Sequence, residues 1–328
     1  MIKKWLMIAL KVAVSAGLIW FIMKDLDLDA AFTRLRQVDP LLLSFALGAL
    51  AVQACLGGLR WRAVAVAIEA PLTLLNALRL FYIGMFFNQA LPGGTGGDAV
   101  RMYLGYRSGI PLRGAINGVM LERMVAVIAL VLMVDITQPF FTPMADAGKI
   151  DLIRTAAVLI TLIAVGGVAF IMVLDRLPES ARKWKLVRGL GYLASDTRNV
   201  FLSLQHGTIT IFWGLITHIN LSFVVFLLAS GLGLSVTFLE CLILVPPVVL
   251  VTTVPISIGG WGIREGAMIT AFGLIGVPAE GALVLSILVG LAGLAISLPG
   301  GLVWLLSRER DQGMNLEHME EELSATKP

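Results

Sequence analysis

Cysteine and histidine are nearly missing from this chain, with two of the first and three of the second in 328 residues. Cys55 and Cys241 both fall inside apolar runs, so they read as small packing residues rather than disulfide partners or ligands. No histidine, cysteine or carboxylate spacing suits a metal ion, and no nucleophile-and-base constellation or nucleotide-binding loop can be read. No cofactor and no nucleic-acid partner is therefore expected. Charge is scarce as well, at 14% of residues against about 25% in soluble domains. Period-2 alternation is absent, which excludes a membrane barrel. No stretch has the composition of a soluble catalytic domain.

What the chain has in abundance is apolar length. It is 58% hydrophobic, with a mean hydropathy of +0.89. Apolar segments fall at 5–23, 40–59, 72–91, 111–134, 153–174, 209–232, 236–257, 264–277 and 281–306. Most are long enough to cross a bilayer as helices, and only helices satisfy their own backbone there. The N-terminal run contains Lys11 and lacks a small-residue cleavage site, so it is expected to stay as a first span. Residues 1–306 read as one integral membrane domain with approximate halves 1–150 and 151–306. Residues 307–328, with Glu317, Glu320, Glu321 and Glu322, read as a polar tail.

The placement of Lys and Arg predicts orientation. Lys3, Lys4 and Lys11 put the N-terminus in the cytoplasm, Arg60 and Arg62 mark the end of the second span there, and Arg308 and Arg310 do the same for the C-terminus. The linker 175–208 carries Arg176, Arg182, Lys183, Lys185, Arg188 and Arg198 among apolar residues. It reads as an amphipathic cytoplasmic surface helix held by anionic headgroups. The loop 135–152 is poorer in positive charge and suits the outside. Simple crossings conflict with this pattern. The conflict disappears if 72–91 enters from the cytoplasm and returns through 98–108, while 236–257 enters from outside and returns through 264–277. The expected fold is an all-α polytopic membrane protein of about six full spans plus two opposed re-entrant hairpins, an inverted repeat, in the inner (cytoplasmic) membrane.

Both hairpin tips carry one pattern: Pro, three residues, Gly-Gly, three residues, Arg. The first copy is Pro92, Gly96, Gly97 and Arg101; the second is Pro255, Gly259, Gly260 and Arg264, each displaced by 163 residues. Proline ends the incoming helix, and glycines let backbone amides approach a ligand. Asp98 opens the outgoing helix, where an acid is favoured, and Arg101 follows one turn later on a similar face. A glycine-flanked helix N-terminus with a guanidinium suits a phosphate. The bland reading is a tight turn in which Asp98–Arg101 and Arg264–Glu265 neutralise one another. Paired broken helices in corresponding halves favour a transporter site.

Other ionisable residues lie at membrane depth. Glu122 and Arg123 sit within 111–134, and Glu122 is expected to face the cavity and pair with Arg101 or Arg123, or else to form a structural ion pair. His218 and Asn220 are expected to make polar contacts between helices.

Asn88, Leu91-Pro92-Gly93 and Gly96-Gly97-Asp98-Ala99-Val100-Arg101 resemble the signature of the lysylphosphatidylglycerol synthase transmembrane-region family. Glu122-Arg123 and Pro255 through Gly259-Gly260-Trp261-Gly262 to Arg264-Glu265 are similar to its later motifs. The resemblance implies a polytopic inner-membrane protein handling lipids with anionic or modified headgroups, here without the aminoacyltransferase domain of bifunctional members. It makes Asn88, Pro92, Gly93, Gly96, Gly97, Asp98, Arg101, Glu122, Arg123, Pro255, Gly259, Gly260, Arg264 and Glu265 the expected substrate-binding set. A lipid flippase is the leading expectation. A membrane transferase with Asp98 or Glu122 as base, and a non-catalytic partner of a separate lipid-modifying synthase, are the alternatives.

Overall fold

The computed structural model describes residues 33–91, 96–141, 147–176, 185–253 and 260–307, and no strand occurs among them. Four helices begin where side-chain chemistry supplies a cap. Asp39 accepts from the amides of Leu41 and Leu42 with Pro40 in the first turn, opening α1 (Pro40–Ala67). Thr73 caps α2 (Leu74–Ala90) and Ser203 caps α7 (Leu204–Gly231). Thr237 and Glu240 form a reciprocal capping box at α8 (Phe238–Thr252). The other elements are α3 (Gly96–Arg107), α4 (Leu112–Phe141), α5 (Ala147–Met172), a 3-10 turn (Leu174–Arg176), α6 (Lys185–Phe201), α9 (Ile263–Gly273) and α10 (Ala279–Leu306).

Among the described residues, four helical stretches are long and apolar enough to cross a membrane: Pro40–Ala67, Arg154–Met172, Leu204–Gly231 and Ala279–Leu306. Their outer faces carry large apolar side chains in the open, as at Leu162, Ile163 and Phe170 of α5. Such a surface suits lipid rather than water. The chain is a multi-pass helical membrane protein.

The bundle centres on α1 against α7, its most extensive pairing. Around that pair, α2 folds back on α3 and α8 on α9, so each glycine motif joins two helices that pack on one another. The hairpins share neighbours: α10 packs on both α2 and α9, and α4 on both α3 and α8. The α10–α2 crossing is close because Gly300 has no side chain; a Cβ there would lie 2.2 Å from the Tyr82 carbonyl oxygen.

Two expectations need correction. The second span does not end at 59 but runs helical to Ala67, so Arg60 lies inside it, buried. The linker helix is also more than a surface anchor. Leu193, Ala194 and Val200 of α6 are buried, with Leu193 and Val200 packed beside Val64, Leu121 and Val125. Buried Asp196 accepts from Arg113 Nη2 at 2.7 Å and Asn117 Nδ2 at 2.6 Å. The burial it gains against α1 and α4 outweighs its amphipathic pull to the interface. Pro246 and Pro247 lie inside α8.

Candidate functional site

The first motif positions its charges through backbone proximity. Gly97 of α3 lies so close to α2 that a Cβ would fall 1.8 Å from the Gly84 carbonyl oxygen. Its amide donates to Asn88 Oδ1 at 2.8 Å, so Asn88 ties the end of α2 to the start of α3. Gly84 also leaves room for the Arg101 stem, which a Cβ there would meet at 2.6 Å. The Arg101 guanidinium then lies over the Phe81 and Trp61 rings at 4.8 and 5.1 Å. Cation–π contact of this kind favours a planar cation away from water.

Five ionisable side chains join in one alternating network. Arg101 Nη2 donates to Asp98 Oδ1 at 2.7 Å and to Glu122 Oε2 at 2.9 Å. Arg60 donates through Nε to Glu122 Oε1 at 2.9 Å and also through Nη2. Arg123 reaches Asp98 instead of Glu122, through Nε at 2.8 Å and Nη2 at 2.9 Å. Glu122 is 1% exposed and Arg101 2%, so these charges persist because they are paired and hydrogen-bonded. Three guanidiniums meet two carboxylates, which leaves the network one positive charge in excess. Arg60 Nη1 and Arg101 Nη1 are buried and have no hydrogen-bond partner among the described residues.

This network borders a cavity of about 210 Å³. Arg60, Arg101, Glu122 and Arg123 line it, together with Gln53, Phe81, Gly84, Asn88 and Thr217. The walls come from α1, α2, α3, α4 and α7. Donors dominate them, and a buried cationic donor without a partner suits an anion.

The second motif is arranged differently. Gly260 and Gly262 have φ of +79° and +88°, a region open to glycine. Glu265 accepts from the Gly262 amide at the start of α9 and from Arg264 Nη2 at 2.8 Å. Ser286 of α10 accepts from Arg264 Nε at 3.2 Å and donates to Glu265 at 3.1 Å. The guanidinium lies over Trp261 at 4.5 Å and fills the place that a Gly290 side chain would take. Arg264 is held between α9 and α10 with one carboxylate, whereas Arg101 bridges two carboxylates on α3 and α4.

Of the expected residues, Asn88, Arg101, Glu122 and Arg123 line the cavity and Asp98 stands behind it. Gly96 packs against Leu91 and Gly97 against Gly84. Gly260, Arg264 and Glu265 form the separate second cluster. Pro92, Gly93, Pro255 and Gly259 lie outside the described residues. His218 and Asn220 make the expected contacts between helices: His218 Nε2 meets the Ala126 carbonyl at 2.9 Å, and Asn220 donates to Ala49 O and Gln53 Oε1. Sequence reasoning missed Arg60, Gln53, Phe81, Gly84, Thr217 and Ser286. Arg60 carried a usable signal, an ionisable residue within a helix long enough to span; the others are neutral residues in apolar runs.

No curated protein and no solved structure matches the chain. The family model for the lysylphosphatidylglycerol synthase TM region matches residues 8–301. That span takes in both hairpins, the Glu122-centred network and the helices that carry them. The chain belongs to the lysylphosphatidylglycerol synthase transmembrane-region family, whose members are membrane proteins concerned with lipids.

Proposed function

We propose that this protein is a lipid flippase that moves an anionic or phosphate-bearing headgroup across the inner membrane. The observation that carries this reading is the cavity with surplus positive charge, where Arg60 Nη1 and Arg101 Nη1 are buried without partners among the described residues. A phosphate accepts from guanidinium forks with favourable geometry, while the lipid tails remain in the bilayer. About 210 Å³ is small beside the roughly 300–1,000 Å³ of pockets that enclose whole drug-sized ligands. A headgroup site needs no more.

The finer architecture belongs to the same proposal. The hairpins α2–α3 and α8–α9 enter from opposite faces among six full spans, with both termini cytoplasmic. Their common packing on α10 and α4 supports a design in which one rearrangement changes access from either side. Arg264 serves the second face in this scheme, released from Glu265 and Ser286 when that side opens.

Proteoliposomes holding the purified chain and a fluorescent phosphatidylglycerol test the proposal. The native protein alone should expose the label to an external quencher. Arg101→Ala should slow that exposure by about 10–100-fold, the worth of a lost charge-assisted hydrogen bond of roughly 1.5–3 kcal/mol. A new lipid product would instead mark a transferase. Neither movement nor product would leave the partner role for a separate synthase.

A further inference from the structure

His218 is 8% exposed and stands inside α7, one residue from Thr217, which lines the cavity. Its Nε2 lies 2.9 Å from the Ala126 carbonyl of α4. A carbonyl only accepts, so Nε2 carries the hydrogen and Nδ1 presents a lone pair. That Nδ1 is buried and meets no hydrogen-bond partner among the described residues. Ala126 follows Glu122 by one turn of α4, so the ring is anchored one turn from the centre of the ion-pair network.

Few charges face the ring. Arg60 of α1 and Glu122 of α4 are near enough to act on a charge there. Elsewhere on those two helices Arg123 is tied to Asp98, Asp135 to Thr161 and Arg113 to Asp196, while Cys55 and Arg62 are exposed. Of the other elements packed on α7, α6 brings Asp196 and Arg198, the second held by Asp175. Glu240 of α8 is occupied by its capping box, and Cys241 is buried in an apolar cluster with Val224 and Val225. Glu280 lies in the first turn of α10 and His206 in the first turn of α7.

We infer that His218 takes up a proton when a lipid phosphate enters the cavity, so that the protein binds lipid and proton together. This inference rests on the headgroup-binding reading above and adds a proton to its cargo. Without the phosphate, the network already carries one positive charge in excess. A proton on Nδ1 would add a second near Arg60, which opposes it. A phosphate diester brings one negative charge and cancels the excess. The proton then comes from the aqueous side, adds to the Nδ1 lone pair, and returns to water when the headgroup leaves. Asp98 and Glu122 are poorer carriers, because both oxygens of each already accept from a guanidinium and protonation would break an ion pair. A proton that travels with each lipid lets a proton gradient set the direction of movement.

Nitrogen-15 NMR of the delipidated full-length chain in neutral detergent reads the proton directly. The chain holds three histidines, so His206→Gln with His318→Gln leaves His218 as the single labelled ring. Spectra are taken from about pH 8 to about pH 5, the range in which a histidine serves as a switch. Phosphatidylglycerol, diacylglycerol and inorganic phosphate are added in separate arms. The phosphate diester of phosphatidylglycerol keeps one negative charge throughout, so its pH dependence belongs to the protein. The expected result is a neutral ring without lipid and an imidazolium with phosphatidylglycerol at the same pH. By linkage, affinity for phosphatidylglycerol should rise at least about tenfold from the alkaline to the acid end. His218→Gln keeps an amide donor for the Ala126 carbonyl and should flatten that rise to within about twofold. Phosphatidylglycerol that binds without protonating His218 overturns the coupling and leaves the headgroup site in place. An imidazolium already present without lipid, or induced equally by diacylglycerol, also overturns the coupling. A response to inorganic phosphate with no binding of phosphatidylglycerol, or binding of neither, overturns the coupling and the headgroup reading together. A folded His218→Gln chain that keeps the pH-dependent rise overturns the assignment to this ring.

Discussion

Glu122 is the residue on which the network depends, because it alone accepts from both Arg60 and Arg101. Arg101 is different: without it, Glu122 keeps Arg60 and Asp98 keeps Arg123, so each carboxylate retains a partner. Glu122→Ala should therefore lower stability by about 3–5 kcal/mol, as expected when one member of a buried ion pair is removed. Arg101→Ala should remain folded and lose mainly lipid handling. Thermal unfolding in detergent checks the contrast, and an Arg101→Ala chain as unstable as Glu122→Ala would contradict it. Much of this network is legible in the sequence. Asp98, Arg101, Glu122 and Arg123 are ionisable groups at membrane depth beside a helix break, where a charge needs a reason. Arg60 reads as the end of a span because Arg62 follows it and a charged pair commonly marks an interface. Gln53, Phe81 and Thr217 carry no mark, since their role comes from which helices meet. Nothing in the local sequence tells that Asn220 will occupy Gln53 Oε1.

Among the elements, close helix crossings can be tested without touching the charges. Gly300 and Gly293 lie on the same helix, α10, but a Cβ at 300 would strike the Tyr82 carbonyl and one at 293 would meet nothing within 4 Å. Gly300→Ala should lower stability by about 1–3 kcal/mol through overpacking. Gly293→Ala should raise it slightly, by about 0.5–1 kcal/mol, as alanine favours the helix. Opposite shifts of the melting temperature are the expected signature. The linker helix gives a pH test. Hydrogen bonds from Arg198 hold the Asp175 carboxyl below its ordinary range, with the Arg198 charge helping. A depressed folded-state value means that the contribution is present above the unfolded-state range and disappears as pH falls through the folded-state value. The protection of α6 amides, taken relative to their intrinsic exchange rates, should therefore hold across neutral pH and fall only under acid conditions, and Asp175→Asn should remove the acid step. The helices themselves are largely readable: apolar length and capping residues such as Asp39 and Thr237 account for them. The docking of α6 is not, because a strongly amphipathic segment serves equally for a lipid surface or a protein groove. The burial of Leu193 and Val200 and the partners Arg113 and Asn117 for Asp196 decide it.

At the scale of the whole molecule, the repeated motif raises a question of symmetry. Identical local patterns have folded into unequal sites: Arg101 is shared by Asp98 and Glu122 beside a cavity, while Arg264 is closed against Glu265, Ser286 and Trp261. An alternating-access protein caught in one state should hold its two sites in unequal arrangements. The proposed opposed hairpins make a geometric demand on such a molecule. The turn after α3 must face the cytoplasm, and the turn after α9 must face outward, although both follow the same motif by similar lengths of helix. Single cysteines at Ser108 and Glu280, introduced with Cys55 and Cys241 replaced, report this directly. A membrane-impermeant thiol reagent added to sealed, right-side-out vesicles should label Glu280→Cys readily and reach Ser108→Cys only after the membrane is opened. Labelling of both from one side would place the hairpins on the same face and remove the inverted repeat. The cavity beside Arg101 would then need another route for a headgroup to cross, because a site reached from a single leaflet can bind a lipid but cannot pass it on.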